Sequence, residues 1–277
     1  MLCEDALPAS DEHMCLFVAF LSHTMAYSSI INYVSAVKFL HTFLGYPVDW
    51  EHSFNLKATI KGYKRILGAT SKQKLPVSVD LLTRIIKKCD RVRDSGYIAC
   101  ILTGFFAFLR KANLCPESVA KFNPQFHLSR KDIAKTDYGI VLSIHGSKVI
   151  QFRERILHIP LVLHSDESQI CPVRAIKEHI SQVPADSDSP AFLTYEGSPI
   201  THHKLRVFFQ QKLLACGVSS NDISIHSLRR GGASYCHQKG IPLEIIQLLG
   251  DWSSLAVLLY LARPLEQRVK AARAMAF

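Results

Sequence analysis

Along most of this chain the hydrophobic positions recur at three-and-four spacing, the period of an amphipathic helix. Asp11 is placed to cap a helix through about Ser22, with Leu16, Phe17, Phe20 and Leu21 on its apolar side. A second helix is predicted over about 28–44 from Ile30, Ile31, Val34, Val37, Phe39, Leu40 and Phe43, with Gly45 as its stop. A third covers about 55–67, with Leu56, Ile60, Tyr63 and Leu67 as its apolar side. Lys57, Lys61, Lys64 and Arg65 flank that side and make the helix basic. The stretch 68–76, GATSKQKLP, is polar and closed by a proline, so it reads as a linker.

After the linker, Ser78 or Asp80 caps a helix through about Cys89, and a strongly apolar helix follows from about Ser95 to Leu109, ending in Arg110-Lys111. The period changes over 126–163. There Val141, Ile144, Val149, Ile156, Ile159 and Leu161 alternate or cluster around His145-Gly146-Ser147, which reads as short strands in a small hairpin sheet. Pro172 opens a helix to about Gln182, and the short segment Ala191–Tyr195 follows. Thr201 caps a helix to Cys216, which Gly217 stops. The last third is helical again over about 226–239, 243–249 and 253–262, closed by Pro264. The fold class is therefore mostly α with a small antiparallel β-sheet (α+β), in two domains, 1–74 and 75–277.

Composition narrows the class further. With 277 residues, 48% hydrophobic and 20% charged, the chain is globular and long enough for a sizeable core. No apolar run approaches the ~18–20 residues of a membrane span. The start, MLCEDALPAS, carries acids where a signal peptide carries basic residues, so an intracellular, soluble protein is expected. None of the eight cysteines pairs as CxxC, and none stands near a His pair at zinc-finger spacing. Reduced, mostly buried thiols are the expectation, with no metal. Adjacent His202 and His203 diverge on a helix and read as surface or groove residues.

The net charge of +10 is unevenly spread: 1–74 holds seven Lys and Arg against six Asp and Glu, and 75–277 holds 26 against 17. A basic excess in one region suits a polyanionic partner, nucleic acid first, although charge alone leaves a plain solvated surface equally open. The same holds for the basic helix of Lys57, Lys61, Lys64 and Arg65, which could track a DNA backbone.

The chemistry concentrates in IHSLRRGGASYCHQKGIPLEIIQLLGDWSSLAVLLYL. One helical turn puts His226 and Arg229 on one face, where a guanidinium grips a phosphate with two parallel hydrogen bonds and an imidazole serves the same group. Trp252 follows a Gly-Asp, and Tyr260 lies on the next short helix. Arg230 is suited to a backbone phosphate or an acid, and Gly231-Gly232 allow close backbone packing.

This stretch resembles the C-terminal box of the tyrosine recombinase (phage integrase) family, which pairs HxxR with a later His or Trp and a Tyr nucleophile. HSLRRGGAS, LLGDWSS and AVLLYL look most like the recombinases of DIRS and Ngaro-type retroelements. The resemblance extends upstream over nearly the whole chain. The family's first arginine ends an apolar helix, where GFFAFLRKANL supplies Arg110, with Lys111 as the adjacent alternative. Its lysine sits in a hairpin, where IHGSKVIQ supplies Lys148. Residues 1–74 are similar to the family's helical, SAM-like core-binding domain, and 75–277 to its catalytic domain.

The resemblance implies site-specific DNA strand exchange through a 3′-phosphotyrosyl intermediate. Arg110 and Arg229 would stabilise the charge growing on the scissile phosphate, Tyr260 would attack phosphorus, and Lys148 would protonate the leaving 5′-oxygen. His226 would assist proton transfer, and Trp252 would hydrogen-bond and pack the site. It implies double-stranded DNA as partner, a homotetramer on DNA, no cofactor, no metal, no membrane, and a nuclear location. Three departures stand out: Trp252 and Tyr260 are eight apart where many relatives have nine, Asn113 stands where many have an acid that helps order the first arginine, and Leu255 stands where retroelement members often have Asp. The alternatives are an inactive, transposon-derived DNA-binding protein and a type IB topoisomerase-like nicking and closing enzyme.

Overall fold

The computed structural model describes residues 7–50, 52–68, 74–147, 150, 154–252, 257, 258, 261, 269, 273 and 275. The chain divides into two compact units, Met1–Gln73 and Lys74–Phe277.

The first unit holds three helices, α1 (Asp11–Ser22), α2 (Tyr27–Phe43) and α3 (Phe54–Leu67). Ser10, rather than Asp11, caps α1: its hydroxyl accepts the His13 N–H at 3.1 Å, and His13 Nδ1 accepts the Ser10 N–H. Asp11 is left in the first turn, where its charge faces the positive end of the helix. The buried stripe of α1 is Met14, Val18 and Leu21, while Leu16 and Phe20 are 61% and 73% exposed. The helix carries two apolar stripes, and packing against α3 decides which one is covered. On α2, Ile30 is buried and Val34 and Val37 pack beside it, whereas Phe39 and Phe43 stack on each other in solvent, 6.3 Å apart. His41 is buried among apolar neighbours because both ring nitrogens are satisfied: Nε2 accepts the Ala9 N–H at 2.7 Å and Nδ1 donates to the Val37 carbonyl at 2.8 Å. On α3, Leu56, Ile60 and Tyr63 face this core, and Leu67 does not join it.

The second unit begins with α4 (Val79–Lys87), capped by Ser78, whose hydroxyl accepts the Leu81 N–H at 3.1 Å. It continues with α5 (Ser95–Phe106), the short α6 (Lys111–Leu114), β1 (Ile133–Lys135), β2 (Gly139–Ile144), β3 (Leu157–Val162), α7 (Pro172–Gln182), α8 (His202–Ala215), α9 (His226–Gln238) and α10 (Leu243–Leu249). α5 is buried along nearly its whole length and packs on α7 and α9. The three strands form an antiparallel sheet in the order β1-β2-β3. Ile140, Leu142 and Ile144 point into the core opposite Leu161, Ile159 and Leu157. The β2–β3 connection is not a tight turn at 145–147. Pairing ends at Ile144 and Leu157, so the strands do not continue up to residues 145–147 from both sides. The helix expected over 253–262 lies mostly outside the described residues.

The seven described cysteines are free thiols. Burial pushes Cys89 up to about 12 and raises Cys100 as well, so both remain protonated at neutral pH. No helix among the described residues is long and apolar enough to cross a membrane.

A buried polar network ties α5, α7 and the segments 129–132 and 191–193. His179, 1% exposed, accepts at Nε2 from Arg130 Nη2 at 3.1 Å and from the Leu193 N–H at 3.2 Å, leaving Nδ1–H to donate to Ser95 Oγ at 3.2 Å. Burial first, and then the Arg130 charge, lower its pKa from 6.5 to about 4. Between these values the unfolded chain binds a proton that the native state does not. The stability contributed by neutral His179 is therefore complete above pH 6.5 and is lost as pH falls towards 4, by a few kcal/mol. His179→Gln is expected to flatten the fall of melting temperature over that window. An unchanged slope in thermal melts at pH 4.5–7 would refute this.

Candidate active site

The site is built where α5 ends. The helix stops at Phe106, because Phe108 adopts φ +51°, a left-handed conformation uncommon outside glycine, asparagine and aspartate. Two anchors hold it there. Its ring is buried in a small core with Ala233, Ile246, Trp252, Val257 and Leu261, and its carbonyl accepts from Arg229 Nη1. The reversal has a consequence for Arg110. It does not end the apolar helix but becomes the extended residue capping α6 (φ −76°, ψ 151°), and its side chain is half-buried.

α9 brings the other basic groups. Gly231 and Gly232 let it lie against the chain: a Cβ on Gly231 would stand 2.1 Å from the Val77 carbonyl oxygen, and one on Gly232 1.9 Å from that of Phe105. One turn earlier, Arg229 is 2% exposed. Its guanidinium donates to the Phe108 carbonyl and, at 2.5 Å, to the Gly250 carbonyl, and its Cζ lies 4.0 Å from the centre of the Trp252 ring. It thereby knits the break after α5 to the turn after α10, with the indole face as its floor. His226 opens α9 and is exposed, with protein packed along part of its ring. The protein packed around it, and then the charges of Arg229, Arg110 and Arg230, hold it below its usual range, so it is neutral at physiological pH. Arg110, His226, Arg229 and Trp252 thus share one region.

The other expected residues are placed as follows. Lys148 and Tyr260 lie outside the described residues. Val257 and Leu261, on either side of Tyr260 in the sequence, are buried in the core that holds Trp252. Lys111, the alternative to Arg110, opens α6 and lines a groove of about 620 Å³ with His202, His203, Arg206 and His226. Arg230 donates to the carbonyl of Lys74, a backbone partner that sequence reading did not anticipate. Lys57, Lys61, Lys64 and Arg65 are all exposed on α3 of the first unit. Among the described residues no group of three His, Cys, Asp or Glu side chains could hold a metal ion.

The segment leading to Lys148 is held at three successive residues. His145 Nε2 meets Asp132 Oδ1 at 2.9 Å, the Gly146 carbonyl accepts from Asn113 Nδ2 at 2.6 Å, and Ser147 Oγ donates to Asp251 Oδ2 at 3.4 Å. Asp251 also pairs with Arg155. Asn113 is 4% exposed, so its place in the chain is not simply a missing acid: a carboxylate could not donate to the Gly146 carbonyl. Sequence reading missed Asp251, Arg155, Asp132 and His145. For Asp251 the Gly-Asp-Trp context was a usable signal, and for Arg155 there was none.

No protein-family profile and no curated protein matches this chain. Solved structures do. It is similar to the XerH site-specific recombinase bound to its difH substrate (17% identity, 97% of this chain and 71% of that chain, TM-score 0.62). It is also similar to the Tn1549 transposon integrase in complex with circular intermediate DNA (14%, 96% and 85%, 0.58) and to a lambda integrase dimer bound to a COC′ core site (17%, 91% and 80%, 0.62). The mostly helical architecture with its small three-stranded antiparallel sheet matches the tyrosine recombinase fold.

Proposed function

We propose that this chain is a site-specific DNA strand-exchange enzyme acting through a 3′-phosphotyrosyl intermediate. The observation that carries the reading is the grouping of Arg110 and His226 with Arg229, which lies over Trp252, in a chain of recombinase fold. Two guanidinium groups and a neutral imidazole, partly removed from water, suit a phosphodiester whose charge grows on its non-bridging oxygens. In the step proposed, the Tyr260 oxygen forms a bond to phosphorus as the bond to the 5′-oxygen breaks. The phenol loses its proton, with His226 assisting, and the leaving 5′-oxygen takes one from the Lys148 ammonium. Attack by a 5′-hydroxyl then reverses the step on a new partner strand.

DNA-bound relatives of the same fold support double-stranded DNA as the partner. The exposed basic face of α3 supports a DNA-binding role for the first unit. Assembly of four protomers on DNA, descent from a DIRS or Ngaro-type retroelement, and action in the nucleus belong to the same proposal and rest on the sequence resemblance.

One observation favours a rival, a DNA-binding protein that keeps the fold without the chemistry: Arg229 is 2% exposed and bonded to two carbonyls. A nicked suicide duplex decides between them. Wild type is expected to form a denaturation-resistant covalent adduct and Tyr260→Phe none, with DNA binding retained by both. Binding by both proteins and an adduct from neither would establish the rival.

A further inference from the structure

We infer that Asp251 is a positioning residue for the leaving-group side of the reaction, a buried carboxylate that fixes the segment entering Lys148 against the loop of Gly250 and Trp252. The inference rests on the strand-exchange reading above. Asp251 is 9% exposed and has φ +52°, a conformation that aspartate and asparagine tolerate better than other side chains do. A carboxylate so far from water needs compensation. It receives this from Arg155, which lies just before β3, and from the hydroxyl of Ser147, just after β2. One side chain thus grips both ends of the β2–β3 connection.

Ser147 and Ile150 are themselves cross-linked. The Ser147 N–H donates to the Ile150 carbonyl, and the Ile150 N–H to Ser147 Oγ, each at 3.1 Å. Lys148 lies between them in the sequence. The partners of the segment are not arbitrary parts of the fold. Asn113, which holds Gly146, comes three residues after Arg110. Asp251 adjoins Gly250, whose carbonyl holds Arg229. The position of the segment is therefore set relative to both arginines, the requirement for a general acid that must reach one oxygen of a phosphate the arginines hold. A misplacement of about 1 Å in such a group costs about 10²-fold in rate.

Plain packing of a loop would affect every step alike, whereas positioning of an acid matters only when the leaving group needs a proton. Single-turnover cleavage of a nicked duplex separates the two, using a normal 5′-oxygen and, in a second substrate, a bridging 5′-sulfur that departs as thiolate unprotonated. Asp251→Asn keeps the side-chain shape and tolerates the backbone angle. It is expected to slow the oxygen substrate by about 10–100-fold and the sulfur substrate by less than about threefold, because the sulfur bypasses the acid. Arg155→Ala, at a side chain 46% exposed, is expected to act in the same direction and carries the comparison if Asp251→Asn misfolds. Equal losses on both substrates, or no loss on either, would overturn the inference. Failure of wild type on both substrates would instead bring down the strand-exchange reading, and the inference with it.

Discussion

Replacing Arg229 with lysine is expected to lower the single-turnover rate of adduct formation by about 10²–10³-fold and to destabilise the second unit by about 2–4 kcal/mol. The two losses have one origin. The guanidinium is planar and forked, so from a buried position it serves the Phe108 and Gly250 carbonyls together while lying flat on Trp252. A lysine ammonium is a compact point charge. It can reach one carbonyl, leaves the other buried and unpaired, and offers no planar face to the indole. Phe108, held in a left-handed conformation, loses one of its two anchors, and the Arg110 that follows it in the chain is no longer aimed.

Arg110→Lys supplies the contrast. Arg110 is half-buried and caps α6 through its backbone, so its replacement is expected to cost a similar factor in rate with little change in melting temperature. Rate and stability measured on both variants separate phosphate stabilisation from scaffolding. A normal adduct rate in Arg229→Lys at a temperature where it is folded would remove Arg229 from the reaction and leave it a scaffold.

The contrast between the two arginines also shows where sequence reading reaches its limit. Periodicity located the helices, since a buried stripe must repeat at the helical period whatever it packs against. Pro172, Thr201 and Gly217 marked ends because each acts on the backbone locally. On α1, however, Leu16 and Phe20 form as good an apolar stripe as Met14 and Val18, and the choice lies with another helix. The end of α5 is hidden from the sequence pattern for a related reason. GFFAFLR reads as continuous helix, and what breaks it is Phe108, held by residues more than a hundred positions away. Candidate site residues were legible as types in an order, HxxR then Trp. The supports were not legible. Asp251 meets Arg155 across the fold, and nothing in the spacing of either residue announces the other.

Gly232→Ala is expected to destabilise the second unit by about 2–4 kcal/mol, although alanine is the better helix former by about 1 kcal/mol. The steric term decides the sign. The added Cβ would stand 1.9 Å from the Phe105 carbonyl oxygen and 2.7 Å from the Phe108 ring, and a backbone carbonyl in a buried helix cannot step aside. α9 must move instead, and Arg229, three positions earlier on the same helix, moves with it. Adduct formation is therefore expected to fall together with stability. Gly62, inside α3 of the first unit, is the control. A Cβ there meets nothing within 4 Å, so Gly62→Ala is expected to stabilise its unit by about 0.5–1 kcal/mol. Denaturant unfolding of the two variants gives opposite signs if the contacts are as described. A neutral or stabilising Gly232→Ala would place α9 farther from α5 than the geometry allows. At that distance Arg229 could not bond the Phe108 carbonyl, and the two halves of the site would come apart.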